Sequence, residues 1–324
     1  MRLAKAVLLG VSVAVTPGLA ASADATFPAR PIRLIVPFAA GGAIDIMARP
    51  IAARLHELLG QPVVLDNRGG AGGSIGAELV AKSPPDGYSL LFGSTSSLVI
   101  NAAFFKKIAY DPVKDFTPVS LAAEQPLVIV AHPSLPVHNV KELVALAKRN
   151  PGKLSYGSAG LGTSNQLTGA LLAHAAGIDI VHVPYKGGGP ALQALLSGDI
   201  ELQVSQPNTM MSFIKSGRVR AIATTGVKRS AAFPSVGTLV EAGYKDMGIV
   251  GWYCIVGPAG VPRPIVERLN AEIRRAVASD GVRKAMLAEG TEPTTSSPEE
   301  LAALIKSELP RWAAAVKLAG VQSD

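Results

Sequence analysis

One cysteine, Cys254, stands in 324 residues, so no disulfide can form within the chain. It sits in the apolar stretch 249–256 and reads as a small core residue. Five histidines (His56, His132, His138, His174 and His182) are scattered without metal-ligand spacing. There is no H-E-x-x-H, no C-x-x-C and no obvious carboxylate pair, which leaves metalloenzyme and oxidoreductase readings without support. Neither G-x-G-x-x-G nor G-x-x-x-x-G-K-[ST] occurs, so no nucleotide loop is read here and no cofactor is expected. Basic residues exceed acidic ones (31 against 24), but they form no dense run and no aromatic interleaving. This is a solvated surface with a mild pull on anions, and nucleic acid is not an expected partner.

Long hydrophobic runs are also missing. The apolar stretch Ala6–Val15 follows Arg2 and Lys5 and precedes the small-x-small site Ala21-Ser22-Ala23. It is too short to span a bilayer and has the layout of a secretory leader. Residues 1–23 are therefore expected to be removed and the chain exported, in the periplasmic sense. No cysteine follows that would carry a lipid anchor. Loss of Arg2 and Lys5 lowers the formal charge from +7 to +5.

What is present is glycine, alanine and proline in an alternating pattern of strands and helices. Aromatics are only 5%. Roughly 300 mature residues suffice for two α/β units with close helix–sheet packing. The first unit opens with Ile32–Val36, a β-branched run stopped by Pro37. A small-residue loop, Phe38-Ala39-Ala40-Gly41-Gly42, leads into a helix from Ala43. There Ile44, Met47, Ala48, Ile51, Leu55, Leu58 and Leu59 share one face, and Gly60 ends it. Asp45 lies in the first turn, where a carboxylate suits the helix dipole. The unpaired N–H groups of such a helix start, approached over glycines, suit an anion. An ordinary βα unit has the same pattern.

Strands at Pro62–Leu65 and Tyr88–Phe92 with a short helix between them predict a parallel sheet. Its ligands would lie at the strands' carboxyl ends. The loop Ser94-Thr95-Ser96-Ser97 would then adjoin the first loop. A second unit follows. Asn139 is positioned to cap a helix over Val140–Lys148. Leu154–Gly157 is a strand, and Ser158 through Asn165 repeats the glycine- and hydroxyl-rich approach to a helix, with Thr163, Ser164, Asn165 and Gln166 at its start. Strands at Ile180–Pro184, Ile200–Val204 and Val219–Thr224 complete it, the second ending in Ser205 and Gln206. Ala122–Val130 and Gly248–Val256 read as segments crossing between the units, and three amphipathic helices close the chain. The division expected is 24–126 with 243–324 as one lobe and 127–242 as the other, with two helix starts facing across a cleft as a clamp for a small anion.

One enzyme motif is present. Gly72-Gly73-Ser74-Ile75-Gly76 fits G-x-S-x-G, with His132 or His182 downstream as a base, which makes a secreted α/β serine hydrolase the alternative. The elbow needs its serine directly after a strand. Here a glycine loop intervenes, and Ser74 reads as a helix N-cap.

The pattern VPF-x-x-GG-x-x-D-x-x-AR, from Val36 to Arg49, resembles the opening motif of the Bug family, the periplasmic solute receptors of tripartite tricarboxylate transport systems. Further similar pieces run in order along the mature chain: Asn67-Arg68-x-Gly-Ala-Gly-Gly, AKSPPDGY (81–88), YDPVKDF (110–116), PGKLSY (151–156), Gly162-Thr163-Ser164, HVPYKG (182–187), Glu241-Ala242-Gly243 and Pro258-Ala259-Gly260. The resemblance implies a two-lobed periplasmic binding fold, type II-like, that closes as a hinge on a small carboxylate. It also implies a non-enzymatic monomer that serves membrane transporter subunits or a sensor domain. The ligand carboxylate would be held by Phe38–Asp45 and Ser158–Asn165. Many members carry Ser-His-Leu after Gly-Thr-Ser, a glutamate three residues beyond that leucine, and an Asp-Asn pair later. This chain has Asn165-Gln166-Leu167, Ala170 and Ser205-Gln206. The far end of the pocket is thus expected to be less acidic, which weighs against an amino-acid ligand.

Overall fold

The computed structural model describes residues 27–321; the expected leader lies outside them. The first sheet has the order β2-β1-β3-β10-β4, from β1 (Ile32–Val36), β2 (Val63–Asn67), β3 (Ser89–Ser94), β4 (Phe116–Pro126) and β10 (Val250–Pro258). The second has the order β7-β6-β8-β5-β9, from β5 (Val128–Ala131), β6 (Leu154–Ser158), β7 (Ile180–Pro184), β8 (Leu202–Ser205) and β9 (Arg220–Thr224). Each sheet has three parallel strands flanked by an antiparallel one, β10 beside β3 and β5 beside β8.

Helices cover both sheets: α1 (Ala43–Leu59), α2 (Ser74–Ala81), α3 (Asn101–Phe104), α4 (Val140–Arg149), α5 (Ser164–Ala176), α6 (Gly188–Ser197), α7 (Pro207–Lys215), α8 (Arg263–Ala278), α9 (Asp280–Ala288) and α10 (Pro298–Ala319). The α1 stripe is buried as its period requires, except that Leu58 stays half-buried. Each buried leucine or isoleucine there contributes about 1.5–3 kcal/mol. Asn139 caps α4 by accepting from Glu142 N–H at 3.0 Å.

Only Leu127 separates β4 from β5, so the chain passes directly from one sheet to the other. The return passage lies alongside, where Val250 pairs with Pro126. Buried Thr225 ties the two passages together. Its N–H donates to Leu127 O at 2.9 Å, its Oγ1 accepts from Leu127 N–H at 2.8 Å, and its carbonyl accepts from Ile249 N–H at 2.8 Å. The C-terminal helix α10 packs on β4 of the first sheet and on α5 of the second.

Candidate functional site

The carboxyl ends of strands from both sheets open on one cavity of about 100 Å³. The first loop supplies Phe38, Ala40, Gly41, Gly42 and Ala43, and the end of β3 supplies Ser94 and Thr95; Ser164, Asn165 and Gln206 come from the opposite lobe.

The first loop is shaped by glycine and a buried acid. Gly41 takes φ +76°, a left-handed conformation that other residues adopt at a cost. Gly42 does not; its φ of −77° is ordinary, so its value lies in space, since a Cβ would stand 3.0 Å from Ala39 O. Asp45 is fully buried behind the loop. It accepts from Gly41 N–H at 2.8 Å, Arg49 Nε at 2.8 Å and Asn67 Nδ2 at 3.1 Å. Burial alone would raise its pKa; the Gly41 N–H, Arg49 and Asn67 together outweigh that and hold the carboxyl below its ordinary value. Asp45 is thus a brace outside the cavity wall. The Gly41 and Gly42 N–H groups are already bonded, to Asp45 and to Ala39 O. The N–H groups of Ala43 and Ile44 have no acceptor among the described residues, as expected at a first turn.

The second clamp loop is similarly self-braced. Ser158 Oγ bonds His182 Nε2 at 2.7 Å and accepts from Gly160 N–H at 3.1 Å. Thr163 caps α5 by accepting from Gln166 N–H at 3.3 Å and donates to Gly160 O at 2.6 Å. Gln166 Oε1 accepts from Gly162 N–H at 2.8 Å. Ser205 Oγ bonds Thr209 Oγ1 at 3.0 Å. Ser158, Thr163, Gln166 and Ser205 therefore stand behind the wall, while Ser164, Asn165 and Gln206 form part of it. Burial lowers the His182 pKa to about 4, so the imidazole is neutral near pH 7.

Several wall residues were not among the sequence-derived candidates. The expected loop at Ser94–Ser97 instead turns at once into a π-helical turn, Ser96–Ile100, continuing into α3. Ser96 Oγ accepts from Ser164 N–H at 3.0 Å, across the cleft. A second cross-cleft bond runs from Asn208 Nδ2 to Ala43 O at 2.8 Å. Gly187, Gly188 and Gly189 line the cavity at the start of α6. Their signal, a glycine loop entering a helix, was the same one that marked the first two clamps. Gly251, Trp252 and Tyr253 arrive from β10 with no local signal at all.

The G-x-S-x-G match has no elbow. Ser74 is the first residue of α2, with Gly73 rather than Ser74 as the cap, and it follows a 3₁₀ turn, Ala71–Gly73, instead of a strand. Its Oγ accepts from Asn101 Nδ2 at 2.9 Å.

Two lobes joined by paired crossing strands, with a cavity at facing strand ends, define a periplasmic binding protein. Residues 47–321 match the model of the tripartite tricarboxylate transporter family receptor, and the chain belongs to that family. BugT of Bordetella pertussis is 38% identical over 317 residues, which cover 97% of each protein. The structure of periplasmic binding protein BugD is similar with a TM-score of 0.88 at 36% identity, over 92% of this chain and 100% of BugD. MatC from Rhodopseudomonas palustris, solved with bound malate, is similar with a TM-score of 0.85 at 34% identity, over 90% of this chain and 100% of MatC. The family is one of solute receptors, and a serine hydrolase finds no support in it.

Proposed function

We propose that the chain binds a small carboxylate in the interlobe cavity and delivers it to a tripartite-type membrane transporter or to a sensor domain. One observation carries this reading: the starts of α1, α5 and α6 converge on one cavity that no charged side chain lines among the described residues. Helix starts attract anions through unpaired N–H groups and the helix dipole. The free N–H groups of Ala43 and Ile44 take one carboxylate, with Ser164 and Asn165 facing them from the other lobe. Asp45, Ser158, Thr163, Gln166 and Ser205 act through the loops they brace. MatC's bound malate is consistent with such a ligand.

In this reading residues 1–23 direct export and are removed, and the mature chain works as a monomer. Residues 24–126 with 243–324 close on 127–242 about the Leu127–Thr225–Ile249 knot. A thermal-shift panel of mono-, di- and tricarboxylates, amines and sugars tests it, followed by calorimetry on the hits. At least one small carboxylate is expected to raise Tm and bind with simple one-site stoichiometry. Stabilisation by sugars or amines alone would overturn the reading.

A further inference from the structure

Two side chains form hydrogen bonds only across the cleft. Ser96 Oγ accepts from Ser164 N–H at 3.0 Å, and Asn208 Nδ2 donates to Ala43 O at 2.8 Å. Both residues are buried, and neither side chain has a hydrogen-bond partner in its own lobe among the described residues. Asn208 Oδ1 is also buried and has no partner among the described residues. A buried amide satisfied on one side only costs stability, and no side-chain bond within its own lobe offsets that cost.

The two bonds repeat one arrangement. In the first sheet β1 lies between β2 and β3; in the second β6 lies between β7 and β8. Ala43 opens α1, the helix after β1, and Ser164 opens α5, the helix after β6. Ser96 lies just past the end of β3, and Asn208 just past the end of β8. Each lobe thus sends a side chain from beyond its third parallel strand to the first residue of the other lobe's clamp helix. The chemistry suits both ends. Ser164 N–H belongs to the first turn of α5, where the backbone donors have no partner within the helix. A carbonyl has two lone pairs, so Ala43 O can accept from Asn208 as well as from within α1. The lobes also pack closely beside each bond. A Cβ on Gly162 would lie 2.6 Å from Asn101 Oδ1, and one on Gly290 would lie 3.0 Å from Pro207 Cβ, both approaches between lobes.

We propose that Ser96 and Asn208 are positioning residues that form a reciprocal latch. The latch keeps a closed form of the free chain populated and fixes the starts of α1 and α5 on either side of the cavity. This rests on the lobe closure of the reading above and not on its carboxylate. Bonds between the lobes contribute equally whatever the cavity holds. They raise the closed fraction, and apparent affinity scales with that fraction. The latch therefore sets the strength of binding, and the cavity wall sets the order of preference.

The test needs no added solute. The mature chain is unfolded and refolded to strip any co-purified molecule, alongside Ser96→Ala, Asn208→Ala and the double variant. Small-angle scattering is expected to give a radius of gyration that rises from native to single variants to the double. Each single variant should raise the open-to-closed ratio about 2- to 10-fold, the value of one net hydrogen bond. The two factors should multiply in the double variant. Hydrogen exchange followed by NMR supplies a readout that a merely local role would not move. Asn208→Ala, which does not touch Ser164, is expected to speed exchange of the Ser164 amide by the same 2- to 10-fold, because one opening motion breaks both bonds. Asn208→Asp keeps the side chain's shape but sets a carboxylate oxygen against Ala43 O, and should open the lobes further than Asn208→Ala. Circular-dichroism melts identify the folded variants. Superimposable scattering from the native chain and the double variant overturns the latch, as does unchanged Ser164 exchange in Asn208→Ala. Either result leaves the carboxylate reading standing, since that reading is decided by the thermal-shift panel.

Discussion

Asp45→Asn removes the charge that braces the first clamp loop. The native carboxylate is 0% exposed and holds Gly41 N–H, Arg49 and Asn67 with its two oxygens. Asparagine keeps one acceptor oxygen and turns an NH₂ group toward one set of donors. A buried hydrogen bond to a charged acceptor contributes about 1.5–3 kcal/mol, and a donor left unmatched costs about 1–3 kcal/mol. The Arg49 side chain is 58% exposed, so water screens its share to under about 1 kcal/mol. The expected loss is about 2–4 kcal/mol, a fall in Tm of roughly 3–6 °C for a chain of this size. The Ala43 and Ile44 N–H groups follow the same loop, so affinity for the carboxylate found by screening should drop about 10-fold. The pH dependence has a definite sign. The folded Asp45 pKa lies below its ordinary value of 3.8, so its contribution is complete above that value and is lost as pH falls through the folded pKa. The gap between native and variant stability should therefore be widest near pH 7 and shrink below pH ~4. Circular-dichroism melts across pH, with calorimetry at pH 7, measure both effects. A variant within about 1 °C of native at pH 7 and with native affinity would refute the role of Asp45 as a brace.

Gly72→Ala should obstruct lobe closure. Gly72 has φ +61°, and an added Cβ would lie 2.7 Å from Leu161 O on the opposite lobe. Small-angle scattering should show the native chain contracting with malate, or whichever carboxylate binds, and the variant failing to contract; equal contraction would remove the contact from the closure path. His182→Gln should flatten the acid limb of stability. The folded His182 pKa of about 4 lies below the ordinary 6.5, so stability is complete above pH 6.5 and is lost as pH falls toward 4, by roughly 3 kcal/mol. Superimposable native and variant profiles between those values would show that the imidazole is not held neutral. Gln206→Glu places a carboxylate in the cavity wall and should raise L-aspartate affinity relative to succinate by about 10-fold or more. An unchanged ratio from calorimetry would place the second ligand group away from Gln206.

The residues themselves determined the features that depend on near neighbours. The spacing of Ile44, Met47, Ile51 and Leu55 sets the buried face of α1 because a helix repeats every few residues. Asn139 reaches Glu142 N–H because a cap acts over three positions. The glycine-rich entries into α1 and α5 were visible as local patterns, and Gly187-Gly188-Gly189 before α6 carries the same pattern. Which atoms of those loops face the cavity was a different matter. Whether Gly41 or Gly42 takes the positive φ depends on where Asp45 pulls the Gly41 N–H. Ser205 turns to Thr209 while the adjacent Gln206 joins the wall, and that choice follows from how β8 and α7 sit in the second lobe. Trp252 and Tyr253 lie more than 150 residues from Thr95, as the 157-residue separation of the Thr95–Trp252 bond shows, and reach the cavity only because β10 inserts between β3 and β4. No periodicity within a window of ten or fifteen residues records such an insertion. It is decided by pairing between distant strands and by packing of the assembled lobes.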